Sequence, residues 1–269
     1  MNTKAVSRME MEANLRRAVD EGELFVEYQP QVDLTTNKAS GVEALVRWNH
    51  PKFGVVGPDS FIALAEESNL ILAIGEWVMR SVFNQCVLWK KEGRLPPRVG
   101  INVSGRQFAQ SDFVATVIRL LRETGADPNC LEFEITENIL VEDTETAIKT
   151  LERLRALGIR LAIDDFGTGY SSLSCLKKLP VNRLKIDKSF IHDLHTNAND
   201  RAIVTATIEM ARGLGLEIIA EGVETQEQCR FMQESNCDEI QGFYFSKPLS
   251  VDAVQDKWLR QKDEAGEED

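Results

Sequence analysis

The sequence is poor in histidine, in paired cysteine and in basic charge. Its three histidines (His50, His192, His195) form no zinc pattern; His192 and His195 lie three apart with no further ligand set nearby. Its five cysteines (Cys86, Cys130, Cys175, Cys229, Cys237) are scattered, odd in number and free of any CxxC. A disulfide framework is thereby excluded, and reduced thiols in the cytoplasm are expected. The formal net charge is −12, of which the tail Asp263–Asp269 supplies five negatives. Such a chain has no basic surface for long nucleic acids, although a small anionic ligand is compatible with a site whose carboxylates are offset by metal ions.

Long apolar runs are missing too. The most apolar stretch, Leu70 to Leu88, carries Glu76 and Arg80 and is broken by Asn84 and Gln85, so it reads as a packed helix and no membrane span is expected. Met1–Asp20 is charged throughout and lacks the apolar core of a signal peptide. No GxGxxG follows the first strand, which weakens a dinucleotide-binding reading. Gly167-Thr168-Gly169-Tyr170-Ser171-Ser172 lacks the lysine of a phosphate-binding P-loop and reads as a functional loop. Asn102-Val103-Ser104 matches a glycosylation sequon, which a cytoplasmic chain leaves unused.

What is present is a long alternation of strand-like and helix-like segments. The chain has 269 residues, 43% of them hydrophobic, at a mean hydropathy of −0.24, enough for a sizeable core. Strands are expected at Leu24–Gln29, Ala39–Trp48, Arg98–Val103, Cys130–Ile135, Arg160–Asp164, Arg183–Ile186, Glu217–Ala220 and Glu239–Gln241. Helices are expected at Ser7–Glu21, Asp59–Glu67, Ile71–Lys91, Ser111–Thr124 (capped by Ser111 and ended by Gly125), Thr144–Leu157, Asn199–Leu214, Thr225–Glu234 and Val251–Arg260. About eight strands with intervening helices in one domain fit a (β/α) barrel; a doubly wound open sheet is the competitor. Only Pro30 to Lys38 joins the first two strands, too short for a helical crossover, so that pair is expected to be antiparallel. The domain is bounded as a leading helix over 1–22, a barrel over 23–262 and an acidic, disordered tail over 263–269.

Polar residues gather at the ends of these strands: Gln29, Glu43, Asn102, Glu134, Asp164 with Asp165, Lys185, Glu221 and Gln241. In a barrel those ends converge on one face, where active sites sit. Acids and an amide from separate strands make an oxygen-rich site suited to Mg²⁺ or Mn²⁺. Taken singly, each has a plainer explanation. A strand-end Asp is commonly a turn residue, and a charge inside an apolar strand commonly points outward. One arrangement explains them all together, and two adjacent carboxylates repel unless cations bind them.

Glu43-Ala44-Leu45-Val46-Arg47-Trp48 resembles the signature of the EAL phosphodiesterases. Further resemblance lies in Tyr28-Gln29-Pro30, Asn102-Val103-Ser104, Glu134-Ile135-Thr136-Glu137, Asp164-Asp165-Phe166-Gly167-Thr168-Gly169, Lys185-Ile186-Asp187, Glu221-Gly222-Val223-Glu224 and Gln241-Gly242-Phe243. It runs from about Leu15 to about Leu249. The resemblance implies a modified TIM-like (β/α)8 barrel with one antiparallel strand, hydrolysing cyclic di-GMP to linear pGpG in bacterial signalling. It implies two Mg²⁺ or Mn²⁺ ions, with Ca²⁺ inhibitory: Glu43, Asn102, Glu134 and Asp164 on the first, Asp164 and Asp165 on the second. Lys185 is then placed beside the attacking water or the phosphate, and Glu221 as general base or water orienter. Gln29, Leu45, Arg47 and Gln241 would bind substrate, Arg47 through a phosphate. Glu137 and Glu224 would support the site from behind, Glu137 by fixing the loop 167–172. The resemblance also implies dimer contacts through Asp164–Ser172 and the helix after Lys185, and a sensory or diguanylate cyclase domain as companion. The rival readings are a catalytically silent cyclic di-GMP receptor, a protein-interaction domain and an unrelated metal-using barrel enzyme.

Overall fold

The computed structural model describes residues 2–139, 144–169 and 176–259. Helix α1 (Asn2–Asp20) leads into strands β1 (Leu24–Asp33), β2 (Ala39–His50) and β3 (Gly54–Val56). Helices α2 (Ile62–Glu67) and α3 (Leu70–Lys91) follow, then β4 (Val99–Val103), α4 (Gly105–Phe108), α5 (Phe113–Thr124) and β5 (Leu131–Thr136). Next come α6 (Thr144–Ala156), β6 (Arg160–Phe166), β7 (Arg183–Ile186), α7 (Lys188–His192) and α8 (Ala198–Gly213). The described chain closes with β8 (Glu217–Ala220), α9 (Gln226–Glu234), β9 (Glu239–Ile240) and α10 (Val251–Trp258).

Eight strands close on themselves in the order β1, β2, β4, β5, β6, β7, β8, β9, with β9 returning to β1. Strand β1 is antiparallel to both neighbours, whereas the pairs from β2–β4 round to β8–β9 are parallel. This is the expected modified barrel. Its reversed strand follows from the short turn after Asp33, whose Oδ1 accepts from the Thr35 and Thr36 amides at 3.0 and 2.6 Å. Asn37 closes the turn at a φ of 54°, a left-handed position that asparagine tolerates.

The helices form an outer layer. Helix α3 buries Ile71, Ile74, Gly75, Val78, Met79, Val82, Phe83, Cys86 and Trp89, a helical stripe that confirms Leu70–Leu88 as a packed helix. Among the described residues no helix is long and apolar enough to cross a membrane. Two expectations change. Helix α5 is capped at Asp112 without a side-chain bond, so Ser111 is not its cap, although Gly125 does end it in the left-handed conformation. Strand β3, unforeseen, pairs Gly54 with His50 and Val56 with Trp48 as a hairpin on β2. Three residues, one of them glycine, carry too little periodicity to be read as a strand.

The inward residues fall into two polar layers, because strand side chains repeat every second position. Glu132 and Glu134 share β5, Arg183 and Lys185 share β7, and Glu239 precedes Gln241 by two. In the reversed β1 the order is inverted, Gln31 lying deep and Gln29 near the opening. The deep layer, here the floor, is an ionic cluster. Arg98 Nη2 donates to Glu239 at 2.6 Å and its Nε lies 3.1 Å from Glu132. Arg183 Nη2 donates to Glu217 at 2.8 Å and to Glu239 at 3.0 Å, and Arg160 Nη2 donates to Glu217 at 2.6 Å. Arg183 and Glu132 are fully buried.

Candidate metal centre and active site

The upper layer, here the mouth, lies at the C-terminal ends of the parallel strands. Glu43 of β2, Glu134 of β5, Lys185 of β7 and Gln241 just past β9 are all buried. Lys185 Nζ is central: it lies 2.5 Å from Glu221, 3.2 Å from Asp164 and 3.6 Å from Glu43, and it is bonded to Glu134. Glu43 is further held by Asn102 Nδ2 on one oxygen at 2.6 Å and by Gln241 Nε2 on the other at 2.5 Å. Room for Glu134 depends on Gly100, since a Cβ there would sit 2.1 Å from Glu134 Oε1. The structure therefore brings Glu43, Asn102, Glu134, Asp164, Lys185, Glu221 and Gln241 together.

Asp165 reaches the same place by a different device. Strand alternation alone would turn it away from its neighbour Asp164. The pairing of β6 with β7 slips between Ile163 and Phe166, gaining one residue on β6, and Asp165 takes a φ of 53°. Such bulges re-aim side chains next to active sites. Ligand oxygens of Asp164, Asp165 and Glu221 consequently lie within 4.8 Å of one another.

The charges are unequal. Burial would lower Lys185, yet the carboxylates of Asp164, Glu134, Glu221 and Glu43 hold it well above the usual lysine range, so it stays an ammonium. Burial pushes Glu43 up, but Lys185 and the amides of Gln241 and Asn102 outweigh it and hold it below the usual carboxylate range. Glu134 is raised well above that range, by burial first and by the Glu43 charge second. Burial, with the charges of Asp164 and Glu43 and against the pull of Lys185, lifts Glu221 to about 8. Burial with Asp164 and Asp187 lifts Asp165 to about 6. Upward shifts on clustered acids mark a site short of positive charge.

That shortage fits divalent cations. Glu134 Oε1 is buried with no hydrogen-bond partner, although it belongs to a group that should accept. The donor set is oxygen throughout, which suits hard ions of the Mg²⁺ or Mn²⁺ kind. Glu221 sits in the acidic group with Asp164 and Asp165, a position closer to a ligand than its sequence reading suggested.

The remaining residues stand farther out. Gln29 accepts from Gln241 Nε2 at 3.1 Å and donates to the Ser246 carbonyl at 3.0 Å. Leu45 borders a cavity of about 500 Å³ shared with Ile62, Val78, Asn102, Asp164 and Asp165. Arg47 is gripped by Glu27, its Nε at 2.8 Å, and by the Val46 carbonyl, a partner absent from the sequence reading. Glu137 accepts the Gly167 amide at 3.2 Å. Glu224 is exposed, and its backbone N–H donates to the Gln228 side-chain carbonyl at 2.7 Å. Residues 170–172 of the expected loop and dimer contact lie outside the described residues.

The family profile described as EAL domain matches residues 12–248. The chain belongs to the EAL domain family. This EAL domain is 40% identical to the bifunctional diguanylate cyclase/cyclic di-GMP phosphodiesterase MucR of Pseudomonas aeruginosa, over 94% of this chain and 37% of MucR. It is 43% identical to an uncharacterized protein of Synechocystis, over 93% of this chain and 36% of that protein. The chain thus spans about a third of the length of these relatives. Its structure resembles the PaMucR phosphodiesterase in complex with c-di-GMP at a TM-score of 0.89 and 40% identity, covering 91% of this chain and 99% of that one.

Proposed function

We propose that this EAL domain hydrolyses cyclic di-GMP to linear 5′-pGpG. One observation carries the reading: five carboxylates and Asn102 converge around Lys185 at the mouth, and a carboxylate oxygen of Glu134 there has no partner. Glu43, Asn102, Glu134 and Asp164 would hold one Mg²⁺ or Mn²⁺; Asp164 and Asp165 would hold a second, with the Glu221 carboxylate beside it. Bound there, the ions supply an acidified water and charge neutralisation at the phosphate.

The chain's own residues do the rest. Leu45 and the cavity wall would receive the apolar face of a base. Arg47 Nη2, the end that Glu27 and Val46 leave free, faces a phosphate. Lys185 keeps its proton and is the positive charge that the folded chain itself places among four acids, so negative charge developing on the phosphoryl oxygens would be met by a fixed ammonium. As the water oxygen bonds to phosphorus and the P–O3′ bond breaks, Glu221 would take a proton from that water and the departing 3′-oxygen would gain one from solvent, leaving a 3′-hydroxyl on one nucleotide and a 5′-phosphate on the other. The buried, unbridged thiols of Cys86, Cys130, Cys229 and Cys237 suit a reducing cytoplasm.

The test is incubation with cyclic di-GMP and Mg²⁺ or Mn²⁺, with EDTA and Ca²⁺ controls, followed by chromatography of the nucleotides. Formation of pGpG that needs Mg²⁺ or Mn²⁺ and fails with Ca²⁺ is expected. Tight nucleotide binding without turnover would make the domain a receptor instead.

A further inference from the structure

Among the described residues, a line of amides joins the mouth and the floor. Gln31, fully buried on β1, accepts at Oε1 from Arg98 Nη2 at 2.9 Å and from Arg183 Nη1 at 3.4 Å. Its Nε2 donates to Gln241 Oε1 at 3.0 Å. Gln241 Nε2 in turn donates to Glu43 at 2.5 Å and to Gln29 at 3.1 Å, and Gln29 passes its own Nε2 to the Ser246 carbonyl. Space for the deep end is kept by Gly41, Gln31's partner across the β1–β2 ladder; a Cβ there would lie 3.1 Å from both Gln31 Oε1 and Arg98 Nη2.

The direction of this line is forced. A primary amide can point either way, but a guanidinium only donates. Two arginines therefore fix the Gln31 carbonyl toward the floor and its amide nitrogen toward Gln241. Gln241 must then accept on its oxygen, which leaves its nitrogen to face Glu43. We propose that Gln31 is a positioning residue: through Gln241 it transmits the donor-only character of Arg98 and Arg183 to Glu43, and so holds that carboxylate in place for a divalent cation. The proposal rests on the phosphodiesterase reading for the role of Glu43.

Two substitutions separate this from a structural role. Gln31→Glu still accepts from both arginines but offers Gln241 no donor. The Gln241 amide then turns over and presents its carbonyl to Glu43. Gln31→Met keeps the length and removes both functions, so the arginines lose an acceptor while Gln241 remains free to keep facing Glu43. The measurements are calorimetric titration with Mn²⁺ in the absence of nucleotide, melting in EDTA, and turnover of cyclic di-GMP. For Gln31→Glu, near wild-type melting with Mn²⁺ affinity lower by ~10-fold or more is expected, in the range typical of outer partners of metal ligands. For Gln31→Met, the larger loss falls on melting and the smaller on Mn²⁺ affinity. A structural role alone makes the two losses rank together. Wild-type Mn²⁺ affinity in Gln31→Glu overturns the proposal, and so does failure of that variant to fold, since the arginines are required to accept a carboxylate there. Wild-type protein that neither binds Mn²⁺ nor turns over cyclic di-GMP sinks the phosphodiesterase reading instead, whatever the variants do.

Discussion

The two ends of one barrel solve the problem of buried charge in opposite ways. At the floor, Arg98, Arg160 and Arg183 meet Glu132, Glu217 and Glu239, equal numbers of each sign in mutual contact. At the mouth, Lys185 stands alone among Glu43, Glu134, Asp164 and Glu221, with Asp165 beside them. The floor carries matched charges as folded and the mouth does not, although Arg98 Nε, Arg183 Nε and Glu132 Oε1 of the floor, like Glu134 Oε1 of the mouth, are buried without a hydrogen-bond partner. The two layers lie two residues apart at β5, β7 and β9 and four apart at β4, β6 and β8, an even spacing each time, so the difference is one of composition and not of architecture.

Removing a floor charge should produce the largest effect. Arg183→Leu leaves buried carboxylates uncompensated, at about 3–5 kcal/mol. For a domain of this size that lowers the melting temperature by roughly 6–20 °C, as read by circular dichroism, and Mn²⁺ should not restore it. A variant that melts normally would mean that the floor is not a structural staple.

Glu43→Ala should behave in the reverse manner. Turnover falls more than ~100-fold, beyond what an outer partner usually costs. Melting in EDTA falls by less than for Arg183→Leu, because relief of the repulsion between Glu43 and Glu134 partly offsets the loss of the Glu43 bonds to Lys185, Asn102 and Gln241. Near-normal turnover would remove Glu43 from the metal centre. Lys185→Met comes next: kcat falls far more than substrate affinity, as for a group acting mainly in the transition state. Its melting in EDTA drops and is restored by Mn²⁺, which can neutralise the same acids. Loss of affinity with normal kcat would contradict that role.

The smallest effect is on pH dependence. Glu221 and Asp165 titrate in the folded state near 8 and 6, above their unfolded values. Each binds its proton more tightly when folded, so their contribution is greatest at low pH and is lost as pH rises from about 4 to about 8. In EDTA the protein should therefore melt lower at pH 8 than at pH 6, and saturating Mn²⁺ should flatten the slope. A flat slope in EDTA would mean that the mouth is not short of positive charge.

Much of the mouth was legible in the sequence because its residues interrupt apolar strands at their ends, as Glu134 does after Leu131-Glu132-Phe133. The reversed strand was legible in the length of its connection. The floor was not read, although its signal was present as pairs of polar residues two apart: Glu132 with Glu134, Arg183 with Lys185, Glu239 with Gln241. Period two says that such residues share a face, but not that the far ends of six strands meet. The bulge at Asp164–Asp165 and the clasp of Glu27 on Arg47 depend on cross-strand register, which no local pattern encodes. Ser111 lost its role as a cap because the helix begins two residues later, at Phe113.

Strand reversal also decides where a mechanical load enters the barrel. The parallel strands after β2 are each entered from the floor, but β1 is entered from the mouth, with Leu24 beside Trp48. Helix α1 is thus hinged to the rim. Glu23, just past it, takes the Trp48 indole N–H at 2.9 Å and the Asn49 amide at 2.8 Å, and Asn14 of α1 meets His50 at 3.3 Å. All three contacts grip β2, the strand that carries Glu43. A twist applied to α1 is therefore delivered to the rim end of β2, while the ionic floor acts as the anvil.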